Sequence, residues 1–282
     1  MSSACLIQIR CLAQAPLQIL GIIAGNGVYP RLLADSARKA GVRKIVAAAF
    51  TGETDPALAQ RVDQIEWMRV GQLSRLLKFF RDQNVHHAIM AGQIAPKNLF
   101  DLRPDWKALL LLARLKQRNA ESIFTAIADE LAKVDVDLLS ATSFLEGCLA
   151  PEGLIAGPKI SHREEEDVDF GWKIATEIAR FDIGQTVIVK NGTVLAVEAF
   201  EGTNDAIKRG GALAPKDAVM IKVPKRNQDM RFDVPVIGAE TIRAAAEVKL
   251  RVIAVAAGRT LLLERDAIID LANCSNISIV AR

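Results

Sequence analysis

Between Gln228 and Asp233 the chain sets an amide, two carboxylates (Asp229 and Asp233) and the guanidinium of Arg231 among apolar Met230, Phe232, Val234 and Val236. Pro235 and Gly238 then interrupt the run. In an extended chain positions 229, 231 and 233 share one face, because side chains alternate with period two. Two carboxylates beside an arginine are groups that hold Mg²⁺ and steady a phosphate oxyanion. The plainer reading is an edge strand with a solvated, ion-paired face. Pro235 agrees with an edge or a loop rather than a central strand. Spacing alone favours the plainer reading.

Three further stretches carry polar groups at places where ligands bind. In VEAFEGTND (197–205), Glu198 and Glu201 precede Gly202, Thr203 and Asn204, which open a predicted helix. They could face a phosphate or its metal ion, or form a helix cap on Thr203 or Asn204 with solvated acids beside it. In AGNGVYP, Gly25, Asn26 and Gly27 leave a buried strand and enter a helix. A dinucleotide fingerprint is poorly matched there: Pro30 stands at the third glycine, and the second strand ends in Ala49 and Phe50 with no acid for a ribose. A nicotinamide enzyme is therefore disfavoured, while a tight turn and a phosphate contact both stay open. In MAGQIAPKN (90–98), Gln93 sits at the C-terminal end of another predicted strand. It could touch a substrate or satisfy its own loop backbone. His86, His87 and His162 lack metal-ligand spacing, and no G-x-S-x-G or Cys/His arrangement points to covalent catalysis.

The elements that must position these groups alternate. QILGIIA, KIVAAAF, IEWMRV and HHAIMAG read as strands separated by helices, which predicts a parallel sheet in a Rossmann-like layer over residues 18–148. Residues 149–160, with two prolines and two glycines, read as a linker. A second, mixed α/β domain follows over 161–282, with Ser161 as N-cap of its first helix and Asn191-Gly192 as a hairpin turn. The fold class is therefore α/β with two domains, preceded by an extension over residues 1–17.

Composition excludes several classes. A formal charge of +3 on 282 residues gives no basic footprint for nucleic acid, and 5% aromatics offer few stacking platforms. Cys5, Cys11, Cys148 and Cys274 are scattered, as in a reducing cytoplasm. No run is long enough to cross a bilayer. DWKALLLLARLKQR combines Trp106 and leucines with Lys107, Arg114, Lys116 and Arg118. Such a helix could rest on anionic lipid, or pack its leucines on a core with its basic groups in water.

Taken together, LAVEAFEGTNDAIKRGG (195–211), KVPKRNQDMRFDVPVIG (222–238), SHREEEDVDFGWKIATEIARFDIGQTVIVKNG (161–192) and IIAGNGVYP resemble the LpxI family. Those enzymes are UDP-2,3-diacylglucosamine pyrophosphatases of lipid A synthesis. The resemblance implies a two-domain, Mg²⁺-dependent hydrolase that releases UMP and 2,3-diacylglucosamine 1-phosphate by attack of water at the α-phosphorus. The essential acid of the family's R-x-D-x-P segment falls on Asp233. Asp229, Glu198 and Glu201 are the other candidate metal ligands. Gly25, Asn26, Gly27, Gln93, Gly202, Thr203, Lys225, Gln228 and Arg231 are the candidate substrate contacts. Where the family has E-G-T-D this chain has Asn204 in place of the last acid, and Arg226 replaces an expected proline. The Asn204 change favours the alternative of a non-catalytic nucleotide–lipid binding protein on the same scaffold; a UDP-sugar transferase is a third reading. A homodimer and transient contact with the inner-membrane surface are both compatible with the sequence.

Overall fold

The computed structural model describes residues 17–94, 104–116, 120–214, 216–225 and 229–282. Gln228, Arg226, Arg118, residues 95–98 and residues 1–16 of the expected extension lie outside the described residues.

Strands β1 (Ile19–Ala24) and β2 (Lys44–Phe50) are apolar on both faces, a pattern that requires cover on both sides. Helices supply it. β1, β2, β3 (Gln64–Met68), β4 (His87–Ala91) and β5 (Asp137–Leu138) form an all-parallel sheet in the order β3-β2-β1-β4-β5. Alternate residues feed two cores. Leu20, Ile22, Ile45 and Ala47 join Leu33 and Ala37 of α1 (Tyr29–Lys39). Ile23, Val46, Ala48 and Phe50 join Leu76, Leu77 and Phe80 of α2 (Leu73–Asp82) and Leu131 of α4 (Ala120–Ala132). Helix α3 (Trp106–Arg114) adds Ala108 and Leu111 to that second core.

The second sheet is mixed, in the order β6-β13-β11-β9-β7-β8. Its members are β6 (Gly153–Ala156), β7 (Thr186–Lys190), β8 (Thr193–Val197), β9 (Val219–Lys222), β11 (Val252–Val255) and β13 (Ser278–Ala281). β9, β11 and β13 run parallel, whereas β7, β8 and β6 enter antiparallel pairings. Edge strand β6 lies within the stretch read as a linker. Helix α5 (His162–Arg180) starts at the expected Ser161, which forms a capping box with Glu164. It covers one face with Val168 and Ala175 against Val187, Val189 and Ile221. Helices α6 (Thr203–Leu213), α7 (Ala239–Glu247) and α8 (Arg265–Cys274) cover the other, where Ile207, Ile242 and Ile268 meet Ile188, Met220 and Ile253. Asn191 and Gly192 make the expected hairpin turn between β7 and β8.

A small third sheet joins the halves. β10 (Val236–Ile237) pairs parallel with β12 (Leu261–Leu262). Val234, Val236, Leu261 and Leu263 pack on the first domain's core beside Tyr29 and Leu33. Their neighbours Ile237 and Leu262 belong to the second domain's core. The pair is therefore a seam with one face in each domain.

Candidate functional site

The segment carrying Asp229, Arg231 and Asp233 is not extended, as the alternation had suggested. The Asp233 amide donates to the Asp229 carbonyl at 2.9 Å, and residues 230–232 form a turn, so strand pairing begins only at Val236. The Asp229 carboxylate creates this turn by accepting the Arg231 amide at 3.0 Å. It also takes the Arg231 guanidinium, with Nε at 3.0 Å and Nη2 at 2.6 Å. That hydrogen bond holds the Asp229 carboxyl below its ordinary range and raises Arg231. The two charges are spent on each other.

The turn faces both domains. The Ala141 amide donates to the Met230 carbonyl at 2.6 Å, and the Phe232 ring lies 5.6 Å from that of Phe124 on α4. Asp233 points the other way, into the second domain. Its Oδ1 accepts from Gln185 Nε2 at 3.4 Å, and its Oδ2 lies 3.5 Å from Lys225 Nζ. Lys225 also pairs with Asp182. Burial pulls the Lys225 ammonium toward neutrality, but the two carboxylates outweigh it and its pKa stays above the ordinary lysine value.

Beside this corner, at the start of β7 and the ends of β8 and β9, lies a buried polar cluster. Glu198 Oε1 accepts from Thr203 Oγ1 at 2.8 Å, and Thr203 Oγ1 accepts from Lys222 Nζ at 2.8 Å. Lys222 Nζ stands 3.8 Å from Glu198 Oε2, beyond hydrogen-bond reach. Among the described residues, Glu198 Oε2 and Gln185 Oε1 are both buried acceptors with no hydrogen-bond partner. An acceptor left so is costly and calls for an explanation. Thr203 does not cap its helix, contrary to the cap reading. Gly202 is the N-cap residue, no side chain among the described residues closes the end, and Thr203 turns to Glu198 instead. Glu201 is engaged elsewhere: Arg209 donates to it at 2.5 Å and holds its carboxyl below the ordinary range.

Sequence reasoning missed Gln185, Lys222 and Asp182. Gln185 reaches Asp233 because Gly184 lets β7 run against β8; a Cβ at Gly184 would sit 1.9 Å from the Glu198 carbonyl oxygen. Nothing in DIGQ distinguishes this from an ordinary helix-to-strand turn.

Two stretches that looked separate in sequence meet in the first domain. The Asn26 amide donates to the Gln93 carbonyl at 2.7 Å, and the Gln93 amide returns to the Asn26 carbonyl at 3.3 Å. The Gly25 amide donates to the Ala91 carbonyl at 2.8 Å. This bridge ties the C-terminal ends of β1 and β4, the central strands of the sheet. It needs glycines: a Cβ on Gly92 would lie 2.5 Å from the Asn26 oxygen, and one on Gly25 would lie 2.7 Å from the Gln93 oxygen. The amides of Gly25, Asn26 and Gln93 are thus occupied, and Gly27 and the start of α1 are the parts of the loop left to meet a ligand.

Among the described residues no group of three or more His, Cys, Asp or Glu side chains is placed to hold a metal ion. Four carboxylates were singled out from the sequence; Asp229 and Glu201 are bound by arginines, and Asp233 and Glu198 lie on the β7–β9 edge with the unfilled acceptors. Carboxylate and amide oxygens are the donor types that a hard divalent cation takes, and here Lys222 stands 3.8 Å from the Glu198 carboxylate and Lys225 3.5 Å from that of Asp233. His, Cys and thiolate-seeking metals have no counterpart there.

Residues 19–148 match the LpxI N-terminal domain and residues 151–280 match the LpxI C-terminal domain. The UDP-2,3-diacylglucosamine pyrophosphatase LpxI of Caulobacter vibrioides is 30% identical over 265 residues, covering 90% of this chain and 94% of that protein. Among solved structures, the biotin carboxylase domain of Hydrogenobacter thermophilus 2-oxoglutarate carboxylase aligns over 68% of this chain and 37% of its own, at 11% identity and a TM-score of 0.25. N5-carboxyaminoimidazole ribonucleotide synthetase of Thermotoga maritima aligns over 64% and 42%, at 13% identity and a TM-score of 0.24. Those scores are too low to bear on fold or chemistry.

Proposed function

We propose that this chain, which belongs to the LpxI family, is a hydrolase that cleaves UDP-2,3-diacylglucosamine to UMP and 2,3-diacylglucosamine 1-phosphate. The observation that carries the reading is Asp233. The acid to which the family resemblance assigned the chemistry is held at the seam between domains, against Lys225 and Gln185 and beside two buried acceptors that have no donor among the described residues.

A pyrophosphate repels an incoming nucleophile, so cleavage needs cations and oriented donors more than a covalent residue. Asp233, Glu198 and the Gln185 amide oxygen would hold Mg²⁺, which when bound supplies charge neutralisation at the phosphates and a more acidic water. Gln185 and Lys225 fix the Asp233 carboxylate from two sides. Thr203 and Lys222 fix that of Glu198, leaving its second oxygen open to a ligand. Lys225 offers its ammonium to phosphate oxygens, and the uncapped N-terminus of α6 adds its positive end. Asp229 and Arg231 act through shape: they build the turn that aims Asp233. Gln93 and Asn26 likewise act on the ligand through the bridge that sets the entrance to α1.

Asn204 bears on the non-catalytic alternative. Asp233 and Glu198 keep both their carboxylates without an acid at 204, and these are the acids on which the catalytic reading rests. The test is incubation of the purified chain with UDP-2,3-diacylglucosamine and Mg²⁺, with products separated by mass. UMP that disappears on chelation and in Asp233→Asn is the expected result. Binding without UMP means the alternative holds, and UDP as product means a transferase.

A further inference from the structure

We propose that the outward face of α3 is a docking surface for an anionic phospholipid bilayer. In α3 the inward stripe is ordinary: Ala108 is buried and Leu111 packs on the core with Phe80 and Leu131. The outward stripe is not. Trp106, Leu109 and Leu110 stand at i, i+3 and i+4 and are 72%, 47% and 41% exposed. Ala113 and Arg114 continue the same face at i+7 and i+8, and Lys116 follows just beyond the helix; all three are exposed. A surface helix ordinarily shows charged groups on that side.

The orientation is anchored. Asp105 caps α3 through the Ala108 amide at 2.9 Å and at the same time accepts the Ser74 amide of α2 at 2.7 Å. Lys107 pairs with Glu130 of α4 at 3.0 Å. Rolling the leucines inward would break both ties. The apolar stripe is thus presented to the outside by its own hydrogen bonds.

Charge identifies the occupant. From Trp106 to Lys116 the chain has three basic residues and no acidic one. Glu130 is shared by Lys107 and Lys133, and Arg114 and Lys116, with no acid near them in the helix sequence, give the face its sign. An apolar stripe with an exposed tryptophan and basic groups at its end matches the boundary between acyl chains and anionic headgroups. The face also lies one helix away from the site: α4, tied to α3 by Lys107, carries the Phe124 that packs on Phe232 beside Asp233. The surface stands on these contacts whether or not the hydrolysis proposed above holds.

The test is flotation of the full chain, without substrate, on phosphatidylcholine vesicles with and without phosphatidylglycerol. Wild type should float with the anionic vesicles, less with the neutral ones, and less at high salt. Trp106→Ser/Leu109→Gln/Leu110→Gln should stay unbound. Arg114→Gln/Lys116→Gln should bind anionic vesicles roughly 25-fold more weakly, at about fivefold per basic group. Should the triple variant fail to melt cooperatively, the charge pair decides alone. A wild type that does not float, or variants that float equally, overturns the proposal. So does sedimentation showing that the triple variant splits a dimer while flotation persists, because the face then belongs to a second copy. UMP release from detergent-dispersed substrate, measured on the same variants, reports on hydrolysis separately.

Discussion

The glycine bridge of the first domain and the Asp233 corner of the second use polar groups in opposite ways. At the bridge, Asn26 and Gln93 exchange backbone hydrogen bonds, and Gly25 bonds to Ala91, so little is left unpaired. At the corner, among the described residues, Glu198 and Gln185 each keep a buried acceptor without a donor, while Asp233 has a long amide bond and a lysine at 3.5 Å. A structure whose polar groups are satisfied is built to stay as it is. One whose acceptors are left open is built to receive something. On the function proposed above, the contrast assigns chemistry to the second domain and framework to the first.

That contrast can be broken most sharply at Asp233. Asp233→Asn should lower UMP release by about 10²–10³-fold, the scale of losing one group aimed at transition-state charge. Its melting temperature should stay close to wild type. A large fall in melting temperature with activity kept per folded molecule would make Asp233 a framework residue. Next in size is Glu198→Gln, for which a loss of about tenfold or more in kcat is expected, with a higher Mg²⁺ requirement read from metal titration. Equal Mg²⁺ dependence in the two proteins would remove Glu198 from the cation's partners.

Gly92→Ala probes the other side. Its Cβ would press on the Asn26 oxygen at a positive φ of 92°, so a loss of about 1–3 kcal/mol in denaturant unfolding is expected. Turnover per folded molecule should change less than in Asp233→Asn. The smallest effect belongs to the Asp229–Arg231 pair. The hydrogen bond from Arg231 lowers the Asp229 pKa from 3.8. Stability from the pair is therefore fully present above that value and is lost as pH falls through the lowered folded one. Asp229→Asn should cost at most about 1 kcal/mol at pH 6, as for a half-exposed pair that solvent still screens. The difference from wild type should vanish in strong acid, read from melting temperature against pH.

Much of the scaffold was legible because it is local. Buried runs such as QILGIIA and KIVAAAF have few alternatives to central parallel strands, and Asn191-Gly192 and Ser161 signal a turn and a cap within a few residues. The LpxI resemblance, rather than spacing, ranked Asp233 first. What was not legible depends on partners distant in sequence. Asp229 and Arg231 sit two apart in either conformation, and only the carboxylate's bond to the Arg231 amide turns an expected edge strand into a turn. Thr203 reads as a cap until Lys222 and Glu198 are brought alongside. Gln185 carries no signal, since its role depends on Asp233, 48 residues away.

The β10–β12 seam has a mechanical consequence. Met230, Val234 and Val236 are fastened to the first domain, yet the carboxylate between them engages groups of the second. Asp233 is therefore an interlock: it meets Lys225 and Gln185 while the two halves are in register, and on the proposed function a parting of the domains would disarm it. A chain that handles an energy-rich anhydride would gain from such a safeguard, because the proposed reactive arrangement would not form in a half-open molecule.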